Sequence, residues 1–179
     1  MDKVSIRSLM KRKRLLVKPE TFFFKSQIII QKVLSHSQYQ QAHTIGIYVS
    51  LPQEVNTIPI IEFALLSHRV CVPRVQGDIM DFYEITSLNE LQEGHFHVLE
   101  PTTPYQVQPQ DIDLMIIPML AYDDAKYRVG YGKGYYDKYM RNGFQGYKLG
   151  LAFSFQYVDH IMVDQYDVPL DEILTEKSI

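Results

Sequence analysis

Thr44-Ile-Gly-Ile-Tyr-Val-Ser50 leads into the loop Leu51-Pro-Gln-Glu-Val-Asn-Thr57, and Arg69-Val-Cys-Val-Pro-Arg-Val75 follows after a segment of helical apolar spacing from Thr57 to His68. The first run is β-rich and ends in a proline loop, so it reads as a buried strand. The second returns to β-branched residues, with Pro73 expected to close it. Strand, helix and strand in succession make a β-α-β rhythm, which points to an α/β fold with a largely parallel or mixed central sheet.

Working outward, Met80–Ile85 predicts a further strand, Leu114–Pro118 a central parallel strand and Tyr147–Phe153 another. Residues 2–17 carry helical spacing, with Ile6, Leu9 and Met10 on an apolar face and Lys3, Arg7, Lys11 and Arg14 on a basic stripe. Pro19-Glu20 opens a second helix through Phe22–Leu34. Pro101–Gln110 reads as an extended surface loop. No repeat or linker divides the chain, so a single domain over residues 1–179 is expected.

Ligands of such sheets bind beyond the carboxyl ends of the strands. The stretch best suited to them is Arg128-Val-Gly-Tyr-Gly-Lys-Gly-Tyr-Tyr-Asp137. Gly130, Gly132 and Gly134 allow positive φ and close approach of backbone N–H groups to an anion. Arg128 and Lys133 add charge, and the predicted helix Tyr135–Arg141 turns its N-terminus toward the same point. Asp137 suits a magnesium ion, which takes one or two carboxylates and completes its shell with water and phosphate oxygens. The pattern is neither a Walker loop nor a dinucleotide fingerprint. On residues alone it is an anion site, the alternative being a flexible turn before a Tyr-rich core element.

The composition, 46% apolar and 22% charged over 179 residues with net charge −3, suits one globular core and argues against a chain that coats nucleic acid. The lone Cys71 has no internal partner and reads as a buried strand thiol. Lys11-Arg-Lys-Arg14 interrupts the N-terminal sequence before any apolar run of signal-peptide type, and no run approaches the ~20 residues that span a bilayer. A cytoplasmic protein without membrane contact is expected.

Four further features need weighing. The basic stripe is either a solvated face or a clamp on nucleotide phosphates. Glu93-Gly-His-Phe-His97 places two imidazoles close together, but without a third ligand at metal-site spacing. Ser50 and Ser154 lack a nucleophile-elbow setting. Glu54, just beyond the first strand, is either a helix-start carboxylate or a bidentate acceptor for the adjacent N–H donors of a flat heterocycle.

Taken together, Lys3 and Arg7, Tyr48-Val-Ser-Leu-Pro-Gln-Glu54 with Thr57, Glu100-Pro101, Asp113–Pro118, Arg128–Asp137 and Asp167-Val-Pro-Leu-Asp171 with Thr175-Glu176 resemble the 5-formyltetrahydrofolate cyclo-ligase (methenyltetrahydrofolate synthetase) family almost end to end. The resemblance implies a three-layer α/β domain similar to ribose-phosphate isomerase and CoA-transferase domains. It implies ATP- and Mg²⁺-dependent closure of 5-formyltetrahydrofolate to 5,10-methenyltetrahydrofolate with release of ADP and phosphate. ATP contacts are implied at Lys3, Val4, Ser5, Ile6 and Arg7 and from Arg128 and Val129 through Gly130, Tyr131, Gly132, Lys133, Gly134, Tyr135 and Tyr136. Val49, Glu54 and Tyr131–Tyr135 fall on folate-contacting positions, Asp137 and Asp171 on the magnesium carboxylates, and Arg128, Lys133 and Tyr136 on the catalytic ones.

Lys126 departs from the family, which commonly has Gly there, and puts the turn before Arg128 in question. The expected partners are the two small-molecule substrates, without nucleic acid, bound to a monomer. Two rivals stand beside this reading. A sugar-phosphate isomerase or CoA-transferase-like enzyme would share the architecture but has no need of a nucleotide loop. A non-catalytic folate- or nucleotide-binding module would have no reason to keep Arg128, Lys133, Asp137 and Asp171 together.

Overall fold

The computed structural model describes residues 1–179. Its helices are α1 (Lys3–Leu15), α2 (Pro19–Leu34), α3 (Ser37–Gln41), α4 (Ile58–Ala64) and α5 (Tyr135–Arg141). Its strands are β1 (Thr44–Ile47), β2 (Arg69–Gln76), β3 (Ile79–Ile85), β4 (Leu91–Glu93), β5 (Leu99–Pro101), β6 (Gln106–Val107), β7 (Leu114–Ile117), β8 (Ala121–Tyr122), β9 (Arg128–Val129), β10 (Tyr147–Leu151) and β11 (Glu172–Leu174).

Seven strands form one sheet in the order β11-β10-β7-β1-β2-β3-β6. The strands from β11 to β2 pair in parallel, while β3 and β6 are antiparallel additions at one side. The β1-α4-β2 unit expected from the sequence is therefore present, with Thr44 opposite Arg69 and Gly46 opposite Cys71. Every residue of β1 and β7 is buried, as expected of central strands covered on both faces.

Period-2 alternation assigns each side chain to a layer. Leu114 and Ile116 join the cluster made with Ile29, Ile30 and Val33 of α2 and Ile60 and Ile61 of α4. Met115 and Ile117 point the other way and join Tyr139 and Met140 of α5. The result is helix, sheet, helix. A third, smaller cluster holds α1 in place: Ile6 and Met10 pack against Ala121, Val129, Val158 and Ile161.

Some elements differ from the sequence expectation. Pro73 does not end β2; it lies opposite Phe82 in the β2–β3 ladder, and β2 runs on to Gln76. The registered pairing of β2 with β1 ends at Cys71, so Pro73 lies beyond the doubly flanked part of the strand, where a missing N–H is tolerated. Within Pro101–Gln110, Gln106 and Val107 add to the sheet edge beside β3, and Thr103 Oγ1 donates to the Glu84 carbonyl at 2.6 Å. Cys71 is fully buried, and that burial pushes its thiol pKa up. His95 and His97 each face a carboxylate, Glu100 at 3.4 Å and Glu93 at 2.5 Å. No helix is long and apolar enough to cross a membrane.

Gly146 shows how tightly the strands are seated. A Cβ there would lie 2.5 Å from the carbonyl oxygens of both Ile112 and Asp113. That backbone cannot retreat easily, because Asp113 O accepts from Tyr147 N at 2.9 Å and Asp113 N donates to Thr44 O at 2.9 Å. Gly146→Ala is therefore expected to lower stability by about 1–3 kcal/mol, the cost of overpacking a rigid site, seen as a reduced urea midpoint with an unchanged m-value.

Candidate active site

The loops leaving β1 and β7 emerge side by side, because these strands are neighbours in the sheet. Between them, α1 and the residues after α5 lies a cleft of about 740 Å³, within the size range of small-molecule sites. Its lining includes Lys3, Arg7, Val49, Glu54, Arg128, Gly130 through Asp137 and, from the C-terminal part of the chain, Asp164 and Asp167.

The basic stripe of α1 faces the glycine loop rather than solvent. Residues spaced by four lie on one helix face. Arg7 Nε donates to the Gly130 carbonyl at 2.8 Å, and Lys3 Nζ bonds both oxygens of Asp167 at 2.5 Å. About two helical turns beyond Arg7, Arg14 Nη1 donates to the Tyr131 hydroxyl at 3.2 Å. Only Lys11 of the stripe remains exposed. The same periodicity removes three expected contacts from the cleft: Val4 is exposed, Ile6 is fully buried in the small core, and Ser5 is occupied by Asp2, the N-cap of α1. Val129 likewise belongs to that small core and not to the cleft.

Positive φ at Gly132 (107°) and Gly134 (70°) shapes the loop, and a Cβ on Gly132 would touch the Arg7 guanidinium at 3.6 Å. Gly130 is held open for a different reason: a Cβ there would lie 2.8 Å from Arg128 Nη1. The Arg128 guanidinium is buried beneath the loop. It reaches the Pro118 carbonyl and Asp137 Oδ2, each at 3.4 Å, with its Cζ 5.3 Å from the centre of the Tyr136 ring. Its Nε has no partner. Burial pulls the Arg128 pKa down and Asp137 opposes the shift. Burial pushes the Tyr136 hydroxyl far above its ordinary range. Lys133 stands exposed at the head of the loop, and Tyr135 is anchored by a 2.9 Å bond to the Gly77 carbonyl.

Glu54 is buried at the cleft wall and is not a helix-start carboxylate. The N-cap of α4 is Thr57, whereas Glu54 Oε1 accepts from Leu51 N at 2.7 Å and Oε2 from the Tyr131 hydroxyl at 3.1 Å. The loop around it is locked by Tyr48, whose hydroxyl donates to Val55 O at 2.9 Å and whose carbonyl accepts from Thr57 Oγ1 at 2.7 Å. Burial raises the Glu54 pKa; the Leu51 N–H, the Arg14 charge and the Tyr131 hydroxyl pull it back.

The expected pairing of Asp137 with Asp171 is not what the fold builds. Asp137 lies in the cleft, where Oδ1 accepts from Val168 N at 3.2 Å. Asp171 instead sits exposed at the amino end of β10, accepting from Lys148 N at 2.8 Å and facing Lys148 Nζ at 3.4 Å. The parallel sheet explains the separation, since Asp171 precedes β11 while the cleft lies at the opposite, carboxyl ends. The aspartates that do share the cleft with Asp137 are Asp164 and Asp167, to which the sequence assigned no role although Asp167 opens the Asp167-Val-Pro-Leu-Asp171 match. His95 and Phe96 of the segment joining β4 to β5, and Glu100 of β5, also line it; the sequence offered His95 only as half of an imidazole pair and Glu100 only through the family likeness. Lys126 adopts φ 65°, the left-handed conformation glycine takes without strain, and its Nζ bonds the Asp171 carbonyl at 3.0 Å. The turn before Arg128 is thus made despite the side chain.

A model of the 5-formyltetrahydrofolate cyclo-ligase family matches residues 1–176. The 5-formyltetrahydrofolate cyclo-ligase of Mus musculus is 32% identical to this chain, over 98% of it and 94% of the mouse protein. That of Escherichia coli strain K12 is 26% identical over 96% and 98%. Among solved structures, Aquifex aeolicus 5,10-methenyltetrahydrofolate synthetase superposes with a TM-score of 0.89 at 30% identity, covering 98% of this chain and 90% of its own. The corresponding Mycoplasma pneumoniae synthetase gives 0.81 at 28% identity, covering 99% and 100%.

The Glu54 environment has a consequence for stability. A carboxyl whose pKa is raised on folding contributes stability fully present below its unfolded pKa and lost as pH rises through its folded pKa. As pH rises from about 4.5 toward neutrality the wild-type chain should therefore lose stability that Glu54→Gln, which cannot ionise, keeps. Urea unfolding of both chains at the two ends of that window measures the difference, and parallel pH slopes would contradict the assignment.

Proposed function

The chain belongs to the 5-formyltetrahydrofolate cyclo-ligase family and converts 5-formyltetrahydrofolate to 5,10-methenyltetrahydrofolate, and we propose that it does so with ATP and Mg²⁺, using the glycine-loop cleft. The observation carrying this reading is the convergence of Lys3, Arg7, Arg128 and Lys133 on one glycine loop whose Tyr131 bonds Glu54. Cations, glycines and an N-terminal helix end suit a triphosphate, and a buried carboxylate suits the amino-pyrimidinone edge of a pterin.

The chemistry follows from the substrate. A formamide oxygen leaves poorly, so the γ-phosphoryl group is transferred to it: the bond from γ-phosphorus to the β–γ bridging oxygen breaks, and ADP departs. The N10 lone pair then attacks the activated formyl carbon, phosphate leaves with the former formyl oxygen, and loss of the N10 proton yields the methenyl bridge. The protein's task is alignment and neutralisation of phosphoryl charge. In this reading Arg7 and Lys3 hold the nucleotide from α1, the latter after exchanging its Asp167 partner for phosphate. Lys133 follows the transferring group, and Arg128 shapes the loop from beneath while adding charge.

In this reading a magnesium ion would be held by Asp137, which keeps unused acceptor capacity beside its two long contacts, with at most one of Asp164 and Asp167 from the same cleft; no three such side chains come together as a cage, so water and phosphate oxygens would complete the shell. Bound there with the nucleotide, magnesium would supply charge neutralisation at the phosphates. Asp171 is not part of this proposal.

The primary test is near-UV absorbance of a methenyl-folate on mixing the chain with 5-formyltetrahydrofolate. It should appear only when Mg-ATP is present; appearance without nucleotide would end the ATP reading. Lys133→Ala is expected to lower kcat by about 10²–10³-fold with an unchanged melting temperature, because that side chain is exposed. Arg128→Ala should lose both rate and stability, since it empties a buried site beneath the loop. In magnesium titrations of activity, Asp137→Asn should raise the concentration required, whereas Asp171→Asn should not.

A further inference from the structure

Arg14 stands outside the chemistry described above, yet it is a cation buried to 7% exposure, with Nε and Nη2 both buried and unpartnered. Burying a guanidinium without satisfying its donors is costly, and a well-packed apolar residue would fill the same place on α1 without that cost. Its one hydrogen bond runs to the Tyr131 hydroxyl at 3.2 Å, and that hydroxyl lies 3.1 Å from Glu54 Oε2.

The donor inventory fixes the direction of this chain. Arginine has donors only, so the Tyr131 oxygen must accept from Arg14. The tyrosine proton is then free to go to Glu54, whose other oxygen already accepts the Leu51 N–H at 2.7 Å. Both carboxylate oxygens are thereby addressed by donors, an arrangement that suits the ionised acid. The remaining ionisable groups facing Glu54 are Tyr48, beyond the end of β1, and Tyr136 of α5. Neither brings positive charge. Arg14 is the only cation acting on Glu54, and unlike Lys3 and Arg7 it does not line the cleft, so it takes no part in holding the nucleotide.

We propose that Arg14 is a positioning and specificity residue for folate: acting through Tyr131, it keeps the buried Glu54 charged and oriented as an acceptor for the heterocycle's N–H donors. This rests on the reading of Glu54 as the folate partner. Arg14 touches no substrate itself, and its effect belongs to one substrate and not the other. The elevated Glu54 pKa is the expected mark of a carboxylate whose burial is only partly offset, and removing the offset raises it further.

The test is calorimetric affinity for 5-formyltetrahydrofolate and, separately, for ATP across pH 5.5 to 8.5 (about three pH units, enough to follow a shift of one) in wild type, Arg14→Met, Arg14→Lys and Tyr131→Phe. Arg14→Met is expected to weaken folate binding about tenfold at neutral pH, to move the midpoint of the pH profile up by about one unit, and to leave ATP affinity unchanged. Arg14→Lys, which retains charge and donor, should recover most of the loss. In the Tyr131→Phe background the link is already cut at its middle, so adding Arg14→Met should cost much less than it does alone.

Equal weakening of both ligands, or a loss that does not vary with pH, would overturn the proposal and leave Arg14 a packing residue. Should Arg14→Met not fold, Arg14→Lys and Tyr131→Phe still decide: a Tyr131→Phe profile identical to wild type refutes the relay. Glu54→Gln separates the two levels. If it leaves folate affinity intact, the reading of Glu54 fails; if it abolishes binding while Arg14→Met does nothing, only the Arg14 inference fails.

Discussion

Parallel strands cannot be joined by tight turns, and that constraint organises this chain. Each connection among β1, β2, β7, β10 and β11 must leave one end of the sheet and return to the other, so long segments gather at the carboxyl ends. Because β1 and β7 are adjacent, the loop carrying Glu54 and the excursion carrying the glycines are delivered to the same place although more than 70 residues separate Glu54 from Tyr131. The cleft is a product of strand order. It needs no special local structure to exist, only side chains suited to what it binds.

Helix α1 completes the site from outside the sheet. Its apolar face, Ile6 and Met10, is seated on the hairpin of β8 and β9, and this docking turns the basic face toward the glycine loop. Hydrophobic contact supplies the orientation while Lys3, Arg7 and Arg14 supply three different polar partners. A surface stripe would be worth little to stability, but one packed against a backbone carbonyl, a tyrosine and a carboxylate sets the shape of the loop.

The buried charges trade stability for readiness. Arg128 under the loop, Arg14 behind Tyr131 and Glu54 in the wall all pay desolvation that apolar residues would avoid. Each is fixed before any ligand arrives, so the dipoles and charges need little reorganisation during reaction, which is where electrostatic catalysis gains most. The two ends of the cleft differ in this respect. Glu54 is held by backbone and side-chain bonds, whereas Lys133 is exposed and free to follow a moving phosphoryl group.

The sequence by itself determined the layers and the loop. Buried strands β1 and β7, the crossover through α4, helix α5 and the glycine run were legible because each is a local pattern of periodicity, β-branching or backbone freedom. The short strands β6, β8, β9 and β11 were not, since two or three residues carry no periodicity and exist only where a neighbour offers a ladder. The same distinction divides the site. Lys3, Arg7, Glu54 and the loop residues were marked by composition and family likeness, but only the tertiary structure decided which side of α1 faces the cleft, and so removed Val4, Ser5 and Ile6. It also decided that Asp171 lies at the amino end of the sheet while Asp164 and Asp167 enter the cleft, and that Arg14 reaches Glu54 through Tyr131. Spacing along a chain fixes which residues share a helix or strand; which ones meet across the molecule depends on strand order and helix docking, and these are set by packing between segments that the sequence keeps far apart.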